Sequence, residues 1–180
     1  MPKALPVFRY HPDPLSTGAI EASEAECVAC ERSRGFIYVG PVYAEDEYEE
    51  AFCPWCIANG SAAETFDVEF TDAGWGVPGD VPASVCDEII HKTPGFESWQ
   101  QGHWLYHCGD GCAFLGAVGR VDLDAHPEAL EMLMHEHDED GWTPAQSSEY
   151  VDGLDADGDA TAYLFRCLVC GAHVAFSDYS

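Results

Sequence analysis

Cysteine spacing is the feature of this sequence that most limits how the chain can fold. Eight of the nine cysteines form four close pairs: Cys27/Cys30, Cys53/Cys56, Cys108/Cys112 and Cys167/Cys170. Three of these pairs are C-x-x-C, a spacing that delivers two thiolates from one short loop to a single metal ion. The pairs therefore predict metal ligands, with buried reduced thiols or redox motifs as the alternatives.

The first two pairs predict a zinc site. A stretch of 22 residues separates Cys30 from Cys53, close to the spacing of four-cysteine zinc sites. Zn²⁺ takes four soft or borderline ligands in a tetrahedron. The intervening GFIYVGPVYA is rich in β-forming residues and contains a Gly-Pro turn signal. We therefore predict a zinc ribbon, in which a β-hairpin joins two cysteine turns, with the ligands Cys27, Cys30, Cys53 and Cys56.

The other two pairs predict a second, less regular site. Three residues separate Cys108 from Cys112, and 54 residues separate Cys112 from Cys167. Both pairs lie at turns between apolar strands, so they can meet across a sheet. We predict a second Zn²⁺ held by Cys108, Cys112, Cys167 and Cys170, with His107 as the substitute ligand and His173 as a further histidine that could substitute for or support a ligand. The unpaired Cys86 lies on the apolar face of a predicted helix and is expected in the core.

The sequence Cys53-Pro54-Trp55-Cys56 has a second interpretation. A thioredoxin-type redox pair also opens a helix, and its first thiol has a lowered pKa. Here the acidic run Glu45 to Glu50 precedes the pair and raises a thiol pKa instead. Zinc ligation is the better interpretation, and a thiol-disulfide enzyme stays open as the alternative.

The charge of the chain limits its partners. Thirty-three acidic residues against seven basic ones give a formal net charge of −26. Such a surface repels phosphate backbones, which argues against direct nucleic-acid binding, and it attracts basic proteins. A purely solubilising or proteome-wide acidity is the alternative.

Three of the seven basic residues lie next to cysteine pairs: Arg32, Arg34 and Arg166. A guanidinium in such a place would offset the negative charge of a zinc–thiolate centre.

The sequence also predicts where the protein works. No apolar run approaches the length of a transmembrane helix, and the N-terminus lacks the apolar stretch of a signal peptide. We therefore expect a cytoplasmic protein with no membrane contact. Cytosolic thiols stay reduced, which favours metal or redox chemistry over structural disulfides.

Three further motifs fail their physical tests. The acidic stretch from Asp155 resembles a calcium loop, but Ala160 and Arg166 occupy the positions that need glycine and glutamate. The histidines of HEH at 135–137 are two residues apart and cannot share a helix face. The GWGVPG at 74–79 contains prolines and lies in no βαβ unit, so it is not a dinucleotide fingerprint.

Periodicity and turn signals predict an α+β fold. We expect a zinc-ribbon-like four-cysteine unit joined to a small antiparallel sheet with two or three helices. The predicted boundaries are an N-terminal arm and ribbon over 1–60 and an α+β unit over 61–180, with one compact domain as the alternative. The expected segments are helices at 61–70, 82–92 and 127–137, strand–turn–strand units at 103–118 and 161–178, and an acidic turn-rich segment at 138–160.

Several longer stretches carry a family resemblance. FRYHPDPLSTGAI, FCPWCIANGSAA, TPGFESWQQGHWLYHCGD and TAYLFRCLVCGAHVAFSD together resemble the CbrC family of bacterial proteins, described as colicin-tolerance or uncharacterised proteins with three C-x-x-C motifs. The resemblance implies that the regular pairs are those at 27/30, 53/56 and 167/170, which favours His107 or Cys108 over Cys112. It also implies tolerance of a DNase-type bacteriocin, whose basic domain an acidic protein would bind.

Together these features predict a cytosolic zinc-binding protein that acts by protein–protein contact in stress or toxin tolerance. The alternative is a thiol-disulfide redox or zinc-dependent enzyme. A four-cysteine zinc site is closed, whereas a catalytic zinc keeps one open position. We therefore predict no catalytic residue and no bound organic cofactor.

Overall fold

The N-terminal part of the chain is built on a small two-stranded sheet in the computed structural model, which describes residues 4–72 and 76–180. Its elements are β1 (Ile20–Ser23), β2 (Gly35–Tyr38), α1 (Pro54–Ala58) and α2 (Ser61–Phe66). Aromatic and β-branched residues favour the extended β2, and Tyr38 lies opposite Ile20 in an antiparallel pair. β2 therefore pairs with the segment before the first cysteine pair.

The hairpin predicted between the two cysteine pairs does not form. After Gly40-Pro41 the chain turns away from β2, and Tyr43 instead exchanges backbone hydrogen bonds of 2.8 and 2.9 Å with Glu69. The helix predicted over 61–70 is shorter, because Asp67 adopts a left-handed conformation that ends α2.

A four-stranded antiparallel sheet forms the centre of the remaining chain. The elements in chain order are α3 (Ala83–Lys92), β3 (Tyr106–His107), β4 (Asp110–Val118), α4 (Arg120–Leu123), α5 (Pro127–Glu139), α6 (Pro144–Asp152), β5 (Ala160–Cys167) and β6 (His173–Tyr179). The strand order is β3-β4-β5-β6, so each strand pairs with its neighbours in sequence. The α+β class, the helices near 82–92 and 127–137 and both strand–turn–strand units are confirmed.

Helix α6 lies in the acidic segment that was predicted to be turn-rich. Thr143 caps it, accepting a hydrogen bond from the Gln146 backbone N–H, and Pro144 occupies the first turn. Ser147 and Val151 form its buried side. The described residues thus contain six helices where two or three were predicted, because short helices with few apolar residues give a weak periodic signal.

The two faces of the large sheet pack against different layers. Along β5, Tyr163 and Phe165 enter an aromatic cluster, while Ala162 and Leu164 face the helices α4 to α6. This alternation is the period-two pattern of a strand that is buried on both faces. A third apolar cluster surrounds Phe52 in the N-terminal part. The glycine pattern at 74–79 lies partly outside the described residues.

The N-terminal arm packs against the second half of the chain. The N–H of Phe114 donates to the carbonyl of Tyr10 at 2.8 Å, and the Tyr10 ring is fully buried in the aromatic cluster. The Arg9 guanidinium donates to the Asp110 carboxylate at 2.6 Å. These contacts anchor the arm beside the turn that leads into β4.

His11 is expected to make stability fall in mild acid. Its ring is fully buried; Nδ1 donates to the Pro94 carbonyl at 2.8 Å and Nε2 lies 2.6 Å from the Thr17 hydroxyl. Burial lowers the pKa of His11 to about 4, opposed by the Pro94 contact and the charge of Asp13. Between that pKa and the ordinary value near 6.5, the unfolded chain binds a proton that the folded chain does not. Acid therefore favours unfolding.

Urea unfolding at pH 7 and pH 5.5 measures this effect. His11 should account for a loss of about 1 kcal/mol of unfolding free energy over that interval. His11→Gln removes the titration and should show a correspondingly smaller loss, whereas the exposed control His135→Gln should behave like the wild type. Equal pH dependence in His11→Gln and the wild type would contradict the assignment.

Candidate metal centres

The first candidate centre is formed by a tight turn and a helix N-terminus. In the turn, the N–H of Cys27 donates to the Arg32 carbonyl at 3.1 Å and the N–H of Glu31 donates to the Cys27 carbonyl at 2.7 Å. Cys53 is the N-cap of α1, so Cys56 lies in the first helical turn. The structure brings together the side chains of Cys27, Cys30, Cys53 and Cys56, whose sulfurs all lie within 4.8 Å of one another.

The sulfur spacing in this group fits a tetrahedral metal site. The Sγ atoms of Cys30 and Cys53 are 3.9 Å apart. Four zinc–sulfur bonds of ~2.3 Å in a tetrahedron place sulfurs about 3.8 Å apart, whereas a disulfide needs about 2.05 Å. The group thus has the geometry of a four-thiolate site, and the cysteines are not disulfide-bonded.

Hydrogen bonds already favour a thiolate in this group. The thiol of Cys53 is the main cause that lowers the pKa of Cys27 to about 4; burial opposes it, and backbone N–H groups, including that of Cys53 at 3.2 Å, assist it. The same interaction raises the pKa of Cys53, and burial raises that of Cys56. Near the group, the Arg34 guanidinium lies 5.5 Å from the centroid of the Trp55 ring.

The second candidate centre lies where two hairpin turns meet. Cys108 and Gly109 connect β3 to β4 with φ values of 55° and 72°, the left-handed conformations typical of a type I′ turn. The β5–β6 connection repeats the turn of the first centre: the N–H of Cys167 donates to Ala172 and the N–H of Gly171 donates to Cys167. The donor atoms brought within 4.8 Å of one another belong to His107, Cys108, Cys167 and Cys170.

Distances in the second group also fit zinc. Nδ1 of His107 lies 3.2 Å from the sulfur of Cys108 and 3.5 Å from that of Cys170. Zinc–nitrogen and zinc–sulfur bonds of ~2.05 and ~2.3 Å in a tetrahedron place these atoms about 3.6 Å apart. The His107 ring therefore presents Nδ1, the nitrogen nearer the backbone, to the group.

The thiol pKa values in this group are displaced in opposite directions. Burial raises the pKa of Cys167, but backbone N–H groups at 3.4 and 3.5 Å and His107 outweigh it and bring that pKa to about 6. A thiol hydrogen bond with Cys170 raises the pKa of the exposed Cys108 to about 11. The turn around Cys167 thus favours its thiolate, as the turn around Cys27 does.

Cys112 is not part of the second group, which corrects the predicted ligand set. Its side chain is fully buried in the aromatic cluster, and its carbonyl accepts a 2.8 Å hydrogen bond from the Trp104 indole N–H. Burial raises the pKa of Cys112 to about 12. The reason is the two-residue turn: it leaves His107 and Cys108 at the tip of the hairpin and places Cys112 inside β4. His107, the substitute ligand, takes its place.

Two other residues named from the sequence lie elsewhere. The His173 ring packs on His126 with centroids 4.1 Å apart, and His173 belongs to neither group. Cys86 is only half-buried on α3, so the prediction that it lies in the core is wrong. One sequence signal that favours His107 over Cys112 was not used. Cys108-Gly109 lies between two β-prone segments and forms a two-residue hairpin turn, which places the flanking His107 at the hairpin tip.

Within the described ranges, the structure contains no helix of the length and apolar character that crossing a membrane requires.

Comparison with known proteins identifies the family. The UPF0167 protein MT2352 of Mycobacterium tuberculosis (strain CDC 1551 / Oshkosh) is 54% identical over 179 residues, covering 99% of this chain and 96% of the relative. The UPF0167 protein PA1536 of Pseudomonas aeruginosa is 39% identical over 168 residues, covering 93% of each. No solved structure matches. The profile of UPF0167, described as an uncharacterised protein family, matches residues 5–179.

These matches overturn the resemblance drawn from the sequence. The relatives carry the UPF0167 name and nothing among the matches indicates the CbrC family, so that assignment is wrong and the colicin tolerance that it implied has no support. The chain belongs to the UPF0167 family.

Proposed function

We propose that this chain is a zinc protein with two structural metal sites that acts by binding a basic protein partner. The observation that carries the metal proposal is the pair of side-chain groups, four cysteines in one and three cysteines with His107 in the other. Thiolate and imidazole donors at these separations suit Zn²⁺ better than the oxygen-seeking Mg²⁺ or Ca²⁺.

Bound zinc would supply cross-links rather than a reaction centre. In the first site it would join the turn at Cys27 to the start of α1, and in the second it would join the β3–β4 turn to the β5–β6 turn. Four protein ligands would complete the tetrahedron at each site, which would leave no position for a substrate or an activated water. This closure supports a structural role.

The redox alternative finds less support. A thioredoxin-type pair needs a first thiol with a lowered pKa at the N-terminus of its helix. Cys53 occupies that place in α1, but its pKa is raised by the hydrogen bond with Cys27. The thiol whose pKa is lowered is that of Cys27, in the other cysteine turn, as expected for a site that the two turns share.

The proposed mode of action rests on charge. The net charge of −26 and the exposed acidic residues suit a basic protein partner in the cytoplasm and disfavour nucleic acid. Because the described helices and sheet carry few basic groups, the protein presents a negative potential over much of its surface. That field would speed the encounter with a positively charged protein.

Metal analysis combined with thiol counting tests the proposal. Protein purified without added metal should contain two zinc ions per chain, one for each group. Cys108 and Cys170 are exposed, so without metal both should be accessible to a thiol reagent, although the raised pKa of Cys108 slows its reaction. We expect both to be unreactive until a strong chelator is added. Metal-free protein with rapidly reacting exposed thiols would refute the zinc proposal.

Substitution of His107 should distinguish the ligand set of the second site. His107→Ala is expected to lower the zinc content from two to one per chain after dialysis against a weak chelator that leaves both ions in the wild type, because the site loses one of four donors. Cys112→Ala should keep both ions, since Cys112 lies outside the group. His173→Ala is the matched histidine control. Loss of zinc from Cys112→Ala with retention in His107→Ala would reverse the assignment.

A further inference from the structure

A cleft with a volume of about 560 Å³ contains none of the residues of the two metal groups in its lining. Its lining comprises residues 96–100, the loop at 156–158, two residues of strand β5, Ala117, Pro41 and Tyr43. A cleft of this size can enclose a large side chain or a small molecule. Its lining therefore indicates which chemistry it would accept.

Aromatic side chains supply much of that lining. Trp99 is 50% exposed, yet its indole N–H donates to the Gly158 carbonyl at 2.9 Å and its backbone N–H donates to the Tyr163 hydroxyl at 3.2 Å. These bonds fix the ring in place although half of it contacts solvent. Phe96 and Tyr163 also line the cleft, with ring centroids 5.5 Å apart. The cleft therefore offers a fixed aromatic platform.

The charged groups at this cleft are all acidic. Glu97 and Asp157 are exposed lining residues, and no lysine, arginine or histidine lines the cleft in the described part of the chain. Across residues 4–72 and 76–180, neither carboxylate forms a hydrogen bond or an ion pair. Two unneutralised carboxylates beside an aromatic platform attract a cation that can also stack.

We propose that this cleft binds an arginine side chain of the basic partner. A guanidinium is planar, stacks on an aromatic face and pairs with carboxylates through a rigid fork of N–H donors, whereas an ammonium provides only a point charge. Trp99 would stack with the guanidinium, and Glu97 and Asp157 would receive its hydrogen bonds. This inference rests on the proposed function, because it names the feature of the partner that is recognised.

Calorimetric titration with oligo-arginine and oligo-lysine peptides at near-physiological salt tests the inference. Oligo-arginine should bind the wild type more tightly than oligo-lysine of the same length. The double variant Glu97→Gln/Asp157→Asn should weaken oligo-arginine binding by about tenfold or more. The matched control Glu131→Gln/Asp138→Asn removes the same charge from the exposed side of α5 and should change affinity by less than about twofold.

A second variant separates stacking from charge. Trp99→Leu keeps every carboxylate, so it should reduce the preference for arginine over lysine while leaving oligo-lysine binding nearly unchanged. Equal weakening by the cleft variant and the control, or no preference for arginine in the wild type, would overturn the inference. Zinc content and thiol protection measured on the same samples report separately on the metal proposal, so the two can fail independently.

Discussion

Replacing Cys27 with serine is expected to remove one zinc ion and unfold the N-terminal part of the chain. Cys27 is buried, accepts a hydrogen bond from the backbone N–H of Cys53 and belongs to the four-cysteine group. Structural zinc contributes about 10–16 kcal/mol of binding free energy in small zinc domains, comparable to the ~5–15 kcal/mol stability of a whole domain. In the described residues this region has one sheet of two short strands, and its apolar cluster around Phe52 includes Cys27, Cys53 and Cys56, so losing the metal should loosen the cluster as well.

The result should be visible segment by segment. Hydrogen exchange in Cys27→Ser should show lost protection across β1, β2 and α1, while β4 to β6 stay protected. Zinc content should fall from two ions to one. Cys86→Ser is the control, because Cys86 lies outside both groups and its loss should leave both ions bound. A variant at Cys27 that keeps two zinc ions and wild-type protection would contradict the assignment of Cys27 as a ligand.

Replacing Phe165 with alanine should produce the second-largest effect. Phe165 is fully buried on β5 and contacts the rings of Phe114 and Trp104 with centroids 5.1 and 5.6 Å away. Truncation to alanine leaves a cavity that these rigid rings cannot fill. The expected loss of unfolding free energy is about 3–5 kcal/mol, measured by urea or thermal unfolding of the zinc-loaded protein.

An exposed valine provides the control for Phe165→Ala. Val121 is 82% exposed on α4, so Val121→Ala should change stability by no more than about 0.5 kcal/mol. Zinc content should stay at two ions in Phe165→Ala, because the side chain belongs to the aromatic cluster and not to either metal group. A loss below about 1 kcal/mol would mean that the cluster repacks around the vacancy.

The fold class and the first cysteine group could be predicted from the sequence for clear physical reasons. A C-x-x-C pair fixes two sulfurs locally, so only the meeting of two such pairs had to be inferred. Apolar strand-forming segments on either side of Gly-containing turns predict the hairpins near 103–118 and 161–178. The pairing of β2 with β1 was missed because nothing local distinguishes Ile20–Ser23 as its partner from the β-prone residues after Gly40-Pro41.

The ligands of the second group could not be identified from cysteine spacing alone. Cys108 and Cys112 were grouped because they are close in sequence, but a strand alternates its side chains and a two-residue turn decides which residue ends at the tip. That decision depends on the positive φ of Cys108, a conformation uncommon for a residue other than glycine. Helix α6 was missed because its apolar periodicity is weak. Its clearest sequence signal is the N-terminal cap at Thr143, which the prediction did not use.

The two metal groups tie together chain segments of very different length. Cys30 and Cys53 are 23 positions apart, whereas His107 and Cys170 are 63 positions apart with all three helices from α4 to α6 between them. A metal ion closing the longer loop removes about 0.9 kcal/mol more chain entropy from the unfolded ensemble than one closing the shorter loop. The second candidate centre would therefore assemble at the greater entropic cost.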